Sequence, residues 1–190
     1  MEKLKVPKLR FKEFSGEWEE NILGNIGKVS MCKRIMKEQT TPTGDIPFYK
    51  IGTFGRDPDS FITKEIFEDF KARFSFPKKG DILISASGTI GRTVIYDGKP
   101  AYFQDSNIVW IDNYEVLVKN EFLLYCYSII RWTTEDTTIA RLYNDNLKNM
   151  KLFFPSLPEQ QKIADFLSKV DDKIEKLTKK KELLEQYKKG

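Results

Sequence analysis

The stretch of sequence that decides the fold is residues 156–189, SLPEQQKIADFLSKVDDKIEKLTKKKELLEQYKK. In a helix, its apolar residues would form one stripe, here called the seam: Ile163, Leu167, Val170, Ile174, Leu177 and Leu184. Steps of four and three residues along this stripe are typical of a coiled coil, although Lys181 occupies one position where an apolar residue is expected. We therefore predict a single helix of roughly 45 Å, which is longer than a domain of this size needs.

The start of this helix carries two local signals. Ser156 and Glu159 have the spacing of a capping box, and Pro158 falls in the first turn, where its missing N–H costs nothing. Such a helix could lie across its own domain. The sequence favours the alternative, a spacer or pairing arm that packs on a second helix, because one compact domain cannot cover the whole seam.

The composition suits one globular domain with an arm, or two small domains, in a chain of 190 residues. Hydrophobic residues make up 40% of the chain, which is enough for a core. The formal net charge of +4 divides about equally between the C-terminal stretch and the rest. The overall charge therefore does not indicate nucleic acid, and any DNA-binding surface must be a local patch.

Targeting and redox signals are weak. Residues 1–12 lack the apolar core of a signal peptide, and no apolar run is long enough to span a membrane. The two cysteines, Cys32 and Cys126, form neither a disulfide framework nor a metal cluster. We predict a soluble, cytoplasmic protein.

The residues before the long helix predict a mainly β domain with a few helices. Strands are predicted at residues 46–51, 82–85, 93–96, 101–104, 107–111 and 150–154. Residues 120–131 have helical periodicity, and residues 64–74 form either a short helix or an irregular connection. The turn Asp97-Gly98 is a strong hairpin signal, which predicts that strands 93–96 and 101–104 pair. The expected fold class is α+β, with a domain at residues 1–155 and a spacer or dimerisation helix at residues 156–190.

The chain contains no histidine, which excludes Ser-His-Asp and Cys-His catalysis and every His-ligated metal site. An approximate P-loop ends in Gly91-Arg92-Thr93, but arginine replaces the lysine and β-branched residues follow where the phosphate-binding helix must begin. Asp59 and Asp69 fit a short nuclease-like pattern, whose carboxylates would have to converge on a metal ion. We predict no cofactor and no enzymatic activity, and keep a metal-dependent nuclease as an alternative.

Three polar clusters suit DNA binding: residues 85–92, 104–107 and 141–146. Arg, Asn and Gln can bond two edge atoms of a guanine or an adenine, whereas Ser, Thr, Tyr and backbone N–H groups grip phosphates. Ordinary turns share this composition, so a turn without a ligand is the other explanation of each cluster.

Residue type and expected loop position select the individual candidates. The base-reading candidates are Arg92, Gln104, Asn107, Arg141 and Asn144. The phosphate-binding candidates are Lys33, Arg34, Lys50 and Lys78. The remaining DNA-binding candidates are Ser87, Thr89 and Tyr143.

Several motifs occur together along the chain. They are PKLRF at residues 7–11, GEWE at 16–19, GDIPF at 44–48, GDILI at 80–84, the turn from Gly88 to Gly91, and PSLPEQQKIA at 155–164. With these motifs the chain resembles one half of the specificity subunit of a type I restriction-modification enzyme. The last motif is the most specific of them, and the likeness covers nearly the whole chain.

This resemblance implies a DNA target-recognition domain followed by a conserved spacer helix. In the family, two such halves each read one part of a split DNA sequence, and their helices pack antiparallel. The subunit does no chemistry, but docks adenine methyltransferase subunits, and the complex recruits a restriction subunit that uses ATP. The resemblance implies a second half-subunit, or a second copy, as the partner of the C-terminal helix. A coiled-coil assembly adaptor without DNA contact is the other alternative that the sequence leaves open.

Overall fold

The computed structural model of the chain describes residues 6–132, 142 and 144–188. Within these ranges the strands are β1 Glu19–Ile22, β2 Gly27–Ser30, β3 Ile46–Tyr49, β4 Phe61–Ile62, β5 Ile82–Ser85, β6 Thr93–Ile95, β7 Tyr102–Phe103, β8 Ile108–Asn113 and β9 Lys151–Phe154. The helices are α1 Lys64–Arg73, α2 Asn120–Ile129, α3 Asn144–Lys148 and α4 Leu157–Tyr187. The predicted long C-terminal helix is therefore present, and the segment left open between helix and irregular connection is helix α1.

The strands form three small sheets. Strands β2, β8, β5 and β6 form an antiparallel sheet in that order, and β1 pairs antiparallel with β9. The third sheet has the order β4-β3-β7, with β7 parallel to β3. These mixed sheets with a long C-terminal helix confirm the α+β class.

The four-stranded sheet separates two hydrophobic cores. Because side chains alternate along a strand, Ile82 and Ile84 of β5 enter one core while Leu83 enters the other. In the same way, Val109 of β8 faces the first core and Trp110 the second. Helices α2 and α4 cover the first core, and the third sheet and α1 cover the second. The central strands β5 and β8 are thus buried on both faces, which fixes the loops at their ends.

One predicted pairing is wrong. Strand β7 does not pair with β6 across the Asp97-Gly98 turn, but with β3, while β6 pairs with β5. The aromatic residues of β7 explain this choice. Tyr102 is fully buried in the second core, and the Phe103 ring stacks on Tyr49 with 5.8 Å between ring centroids. Burial of large rings therefore outweighs the local turn signal.

The predicted capping box is also wrong. The Ser156 side chain makes no capping bond at the start of α4, although Pro158 does lie in the first turn. Glu159 serves another purpose: its two carboxylate oxygens accept bonds of 2.7 Å from Nε and Nη2 of Arg10. The Glu159 side chain is only 1% exposed, so this bidentate ion pair ties the N-terminal segment to the helix.

The first part of α4, up to Asp171, contacts the domain. On one side, the Phe11 ring meets Phe166 edge to face at 5.9 Å. On the other side, the hydroxyl of Tyr125 in α2 donates to Oδ2 of Asp171 at 2.9 Å. Every residue from 168 to 188 is exposed, and this part of α4 is here called the arm. The arm leaves the domain rather than lying across it.

None of the helices in the described parts of the chain combines the length and the apolar character needed to cross a membrane.

Candidate nucleic-acid interface

Two of the predicted polar clusters meet at one end of the four-stranded sheet. Strand β5 ends where its antiparallel neighbour β8 begins, with Ser85 paired to Ile108. The backbone N–H of Ala86 donates to the carbonyl of Asn107 at 2.7 Å. The hydroxyl of Ser87 donates to Oδ1 of the same asparagine at 2.8 Å. The loop after β5 and the loop before β8 therefore form one surface.

The third predicted cluster reaches the same place. The backbone N–H of Leu142 donates to the carbonyl of Ala86 at 2.9 Å. Asn144 follows two residues later, exposed at the start of α3. Two other candidates of this cluster, Arg141 and Tyr143, lie outside the described residues.

Two further loops join this surface through side-chain bonds. Nε of Arg34 donates to Oδ2 of Asp105 at 2.9 Å. Oε1 of Gln104 accepts from the backbone N–H of Ile51 at 2.9 Å, which fastens the loop that follows β3. We call residues 33–34, 50–56, 86–92 and 104–107, together with Asn144, the loop surface.

Two base-reading candidates have a structural role at this surface. Nη1 of Arg92 donates to the carbonyl of Phe54 at 2.9 Å, and Gln104 holds Ile51 of the same loop. Both side chains therefore hold the backbone of the loop at residues 50–56 in place against the ends of the strands. The sequence did not indicate this bracing, because residue type alone does not distinguish a reader from a support.

Two of the positive charges of the loop surface are paired with carboxylates. Nζ of Lys50 lies 2.8 Å from Oδ1 of Asp59, and Arg34 is paired with Asp105. Nζ of Lys33 lies 5.2 Å from the centre of the Phe74 ring. The Lys50–Asp59 pair is exposed on both sides and contributes little stability, so Lys50 can exchange partners at small cost.

One phosphate-binding candidate lies apart. Nζ of Lys78 is 2.8 Å from Oδ1 of Asp112, near the far end of β8, and this bond raises the pKa of the lysine. Asp112 is five residues from Asn107 along the extended chain, which corresponds to about 16 Å. Lys78 therefore does not belong to the loop surface.

The seam of α4 divides into a half-buried and an exposed part. Ile163 and Leu167 are half-buried beside the domain. Further along, Val170 is 39% exposed, Ile174 56%, Leu177 57% and Leu184 54%. From Ile174 onward more than half of each of these side chains is exposed, so this part of the seam is available to a second helix.

The molecule thus combines converging polar loops with a protruding helix whose apolar seam is exposed. The model of one protein family, the type I restriction modification DNA specificity domain, matches residues 15–186, which is most of the chain. This chain belongs to that family. The resemblance found from the sequence motifs is therefore confirmed.

The specificity domain has close curated relatives. It is 60% identical over 157 residues to S.HindORF215P of Haemophilus influenzae, a protein assigned as a type I restriction enzyme specificity subunit. That match covers 82% of this chain and 40% of the relative. The chain therefore spans about two fifths of the length of this relative.

Solved structures share the fold. A chain from a structure on complex assembly and conformational transition of the type I R-M system superposes with a TM-score of 0.65 at 18% identity, covering 88% of this chain and 41% of that one. The S subunit from M. genitalium gives a TM-score of 0.63 at 20% identity, covering 92% of this chain and 44% of that one. At these identities the likeness establishes the fold alone.

The nuclease-like pattern of the specificity domain does not converge. The carboxylate of Asp59 pairs with Lys50, whereas that of Asp69 pairs with Arg73 on α1 at 2.9 Å. Among the described residues, no group of three or more potential ligands could hold a metal ion. The approximate P-loop continues into strand β6 and not into a helix.

The two cysteines lie in the cores. Burial raises the pKa of the Cys32 and Cys126 thiols to about 12 in both cases. Thiols with such a pKa remain protonated at neutral pH and are therefore poor nucleophiles.

Gly91 holds the loop after β5 in a conformation that few other residues can adopt. Its φ is +81°, and a Cβ at this position would collide with the indole nitrogen of Trp132. We expect Gly91→Ala to lower the free energy of unfolding by about 2 kcal/mol or more, through left-handed strain and overpacking. Thermal melting followed by tryptophan fluorescence measures this effect.

Gly52→Ala is the matched control for this prediction. Gly52 lies on the neighbouring loop of the same surface, and a Cβ there would meet nothing within 4 Å. The control should stay within about 0.5 kcal/mol of the wild type. Equal stability of the Gly91 and Gly52 variants would contradict the tight packing of this loop.

Proposed function

We propose that this chain is the DNA-reading half of a type I restriction-modification specificity subunit, and that it has no catalytic activity of its own. The observation that carries the proposal is the convergence of three separate polar clusters at one end of a sheet whose central strands are buried on both faces. The antiparallel pairing of β5 with β8 brings two of these clusters together, and a base-reading surface requires donors and acceptors from several loops at fixed positions.

The rigidity of the loop surface supports base reading. Its loops are bonded to the sheet and to one another through Gln104, Arg92 and Ser87, at 2.8–2.9 Å in each case. A surface that is already ordered loses less conformational entropy when it binds, which favours discrimination between similar sequences. Asn107 and Asn144 remain our base-reading candidates, with Lys33 and Lys50 on phosphates and Ser87 and Thr89 beside them.

We divide the chain into a target-recognition domain at residues 1–155 and a spacer helix at residues 156–190. The arm would pair antiparallel with a second helix of the same kind, from another copy or from the other half of a longer subunit. An antiparallel pair centred on Ile174 sets Val170 against Leu177 and Ile163 against Leu184. The seam is therefore self-complementary, apart from Lys181, which falls opposite Leu167.

The first turns of α4 offer room for this partner helix. An apolar groove of about 490 Å³ is lined by residues that include Leu9, Ile163, Phe166 and Leu167. In the proposed register, Leu184 of the second helix reaches this groove. Such pairing would hold a recognition domain at each end and fix the gap between two half-sites.

The partners that we propose are double-stranded DNA, adenine methyltransferase subunits and a restriction subunit. The chemistry would belong to these partners, and the specificity domain would position them on the DNA. We place this activity in the cytoplasm, the compartment in which we expect its DNA substrate to lie.

A binding selection tests the proposal. The chain, assembled with its methyltransferase subunit, is incubated with a pool of random DNA duplexes, and the bound fraction is sequenced. We expect enrichment of one defined sequence, while the purified chain alone should show no methyl transfer, DNA cleavage or ATP hydrolysis. A complex that forms but enriches no sequence would favour the adaptor alternative, and magnesium-dependent cleavage by the chain would favour the nuclease.

A further inference from the structure

Arg34 projects from a backbone that the second core holds in place. Cys32 and Ile35, which flank the dipeptide Lys33-Arg34, are only 2% and 8% exposed. The carbonyl of Lys33 accepts a 3.0 Å bond from the hydroxyl of Tyr102, which is itself fully buried. The Arg34 side chain is 66% exposed. The side chain therefore extends into solvent from a backbone whose position is fixed.

Asp105 fixes the direction of this side chain. Its own side chain is 18% exposed, and one of its carboxylate oxygens accepts Nε of Arg34 at 2.9 Å. The loop that carries Asp105 is tightly folded, with Ser106 in the left-handed region at φ 53°. The backbone N–H of Gln104 also donates to the carbonyl of Tyr49 at 2.9 Å, which ties this loop to β3. The Asp105 carboxylate is thus held in a fixed position, from which it orients the Arg34 guanidinium.

The remaining donors of Arg34 suit a base edge. A guanidinium has five N–H donors in a planar fork, and Asp105 occupies the Nε position. The two terminal nitrogens keep donors that can bond O6 and N7 of guanine as a pair in the major groove. A residue that only neutralises a phosphate needs no such support, and a carboxylate beside it would repel the phosphate.

We propose that Arg34 reads a guanine in the DNA target and that Asp105 is its positioning residue. This inference rests on the proposed function. It also changes the role of Arg34, which residue type alone assigns to the phosphate-binding candidates. Asp105 was part of a predicted polar cluster but was not a candidate, because residue type gave no reason to expect a carboxylate at a DNA surface.

Three variants of the assembled complex separate base reading from phosphate binding. Arg34→Lys keeps the charge and loses the fork, Arg34→Ala loses both, and Asp105→Asn keeps the shape but loses the charge. Each complex is selected on the same pool of random duplexes, and the preference at every position is measured by sequencing. Thermal melting confirms that each variant is folded, which is expected for the exposed Arg34.

We expect the wild type to require guanine at one position of the half-site. Arg34→Lys and Arg34→Ala should lower that preference about 5- to 150-fold and leave the other positions unchanged. Asp105→Asn should relax the same position without weakening binding to other sequences, because it removes a negative charge. Lys33→Gln is the control, and it should weaken all sequences alike.

The outcomes distinguish this inference from the function on which it rests. If the wild type selects a sequence and Arg34→Lys selects the same sequence with equal stringency, Arg34 is a phosphate contact and the inference is wrong. The same conclusion follows if Arg34→Ala weakens every sequence equally. If the wild-type complex selects no sequence, the proposed function fails and the inference fails with it.

Discussion

Replacing both Ile174 and Leu177 with aspartate should yield folded chains that no longer pair through α4. These side chains are 56% and 57% exposed in the single chain, and in the proposed pair both copies bury them. Completing the burial of four such side chains contributes about 3–6 kcal/mol, which corresponds to about 150- to 20,000-fold in affinity. Buried carboxylates without partners would add to this loss.

Light scattering across a range of concentrations measures this effect. The control is the double variant Lys176→Gln and Lys179→Gln, which changes the net charge by the same amount away from the seam. The control should pair like the wild type, whereas the aspartate variant should remain monomeric with an unchanged circular dichroism spectrum of the domain. A wild-type chain that stays monomeric at high concentration would contradict pairing between copies, although DNA recognition could still hold.

Gln160→Ala should be among the most destabilising single substitutions, by about 3–6 kcal/mol. Gln160 is fully buried at the start of α4, and its Nε2 donates to the carbonyls of Leu117 and Pro155 at 2.9 Å each. Its Oε1 accepts the backbone N–H of Lys119 at 2.9 Å. Truncation leaves three backbone groups without this partner, at about 1–3 kcal/mol for each group that water cannot reach. The bond to Pro155 is buried, and the bonds to Leu117 and Lys119 are partly buried.

The neighbouring glutamine supplies a matched control. Gln161 is exposed and bonds Asp165 on its own helix at 2.9 Å, so Gln161→Ala should cost less than about 0.5 kcal/mol. Gln160→Glu keeps the size and the acceptor but loses both donors, and should therefore be nearly as destabilising as alanine. Urea unfolding measures all three variants, and equal stability of Gln160→Ala and Gln161→Ala would contradict this role.

Sequence patterns predicted the elements whose signals are local. The spacing of the seam predicted α4, and short β-branched runs predicted strands such as β5 and β8. Pairing was less predictable, because it depends on which aromatic side chains share a core. The turn Asp97-Gly98 favoured a local hairpin, but burial of Tyr102 and Phe103 placed β7 beside β3 instead.

The interface was predictable in its composition but not in its geometry. The polar clusters at residues 85–92 and 104–107 were identified from residue type, and the antiparallel pairing of β5 with β8 brings them together. Nothing in the sequence distinguishes Arg92, which braces a loop, from Arg34, which projects into solvent. That difference arises from contacts between residues 38 and 71 positions apart in the chain, which no local pattern encodes.

The measurement that tests the central claim most directly is a map of methylated adenines in DNA from cells that carry this chain and its methyltransferase partner. We predict methylation at one split sequence with a spacer of fixed length, an inverted repeat if two copies of the chain pair. Alanine at Arg92, Gln104, Asn107, Arg141 and Asn144 together should relax or abolish this pattern. Methylation that is the same without the chain, or unchanged in the fivefold variant, would contradict our assignment of the DNA-reading surface.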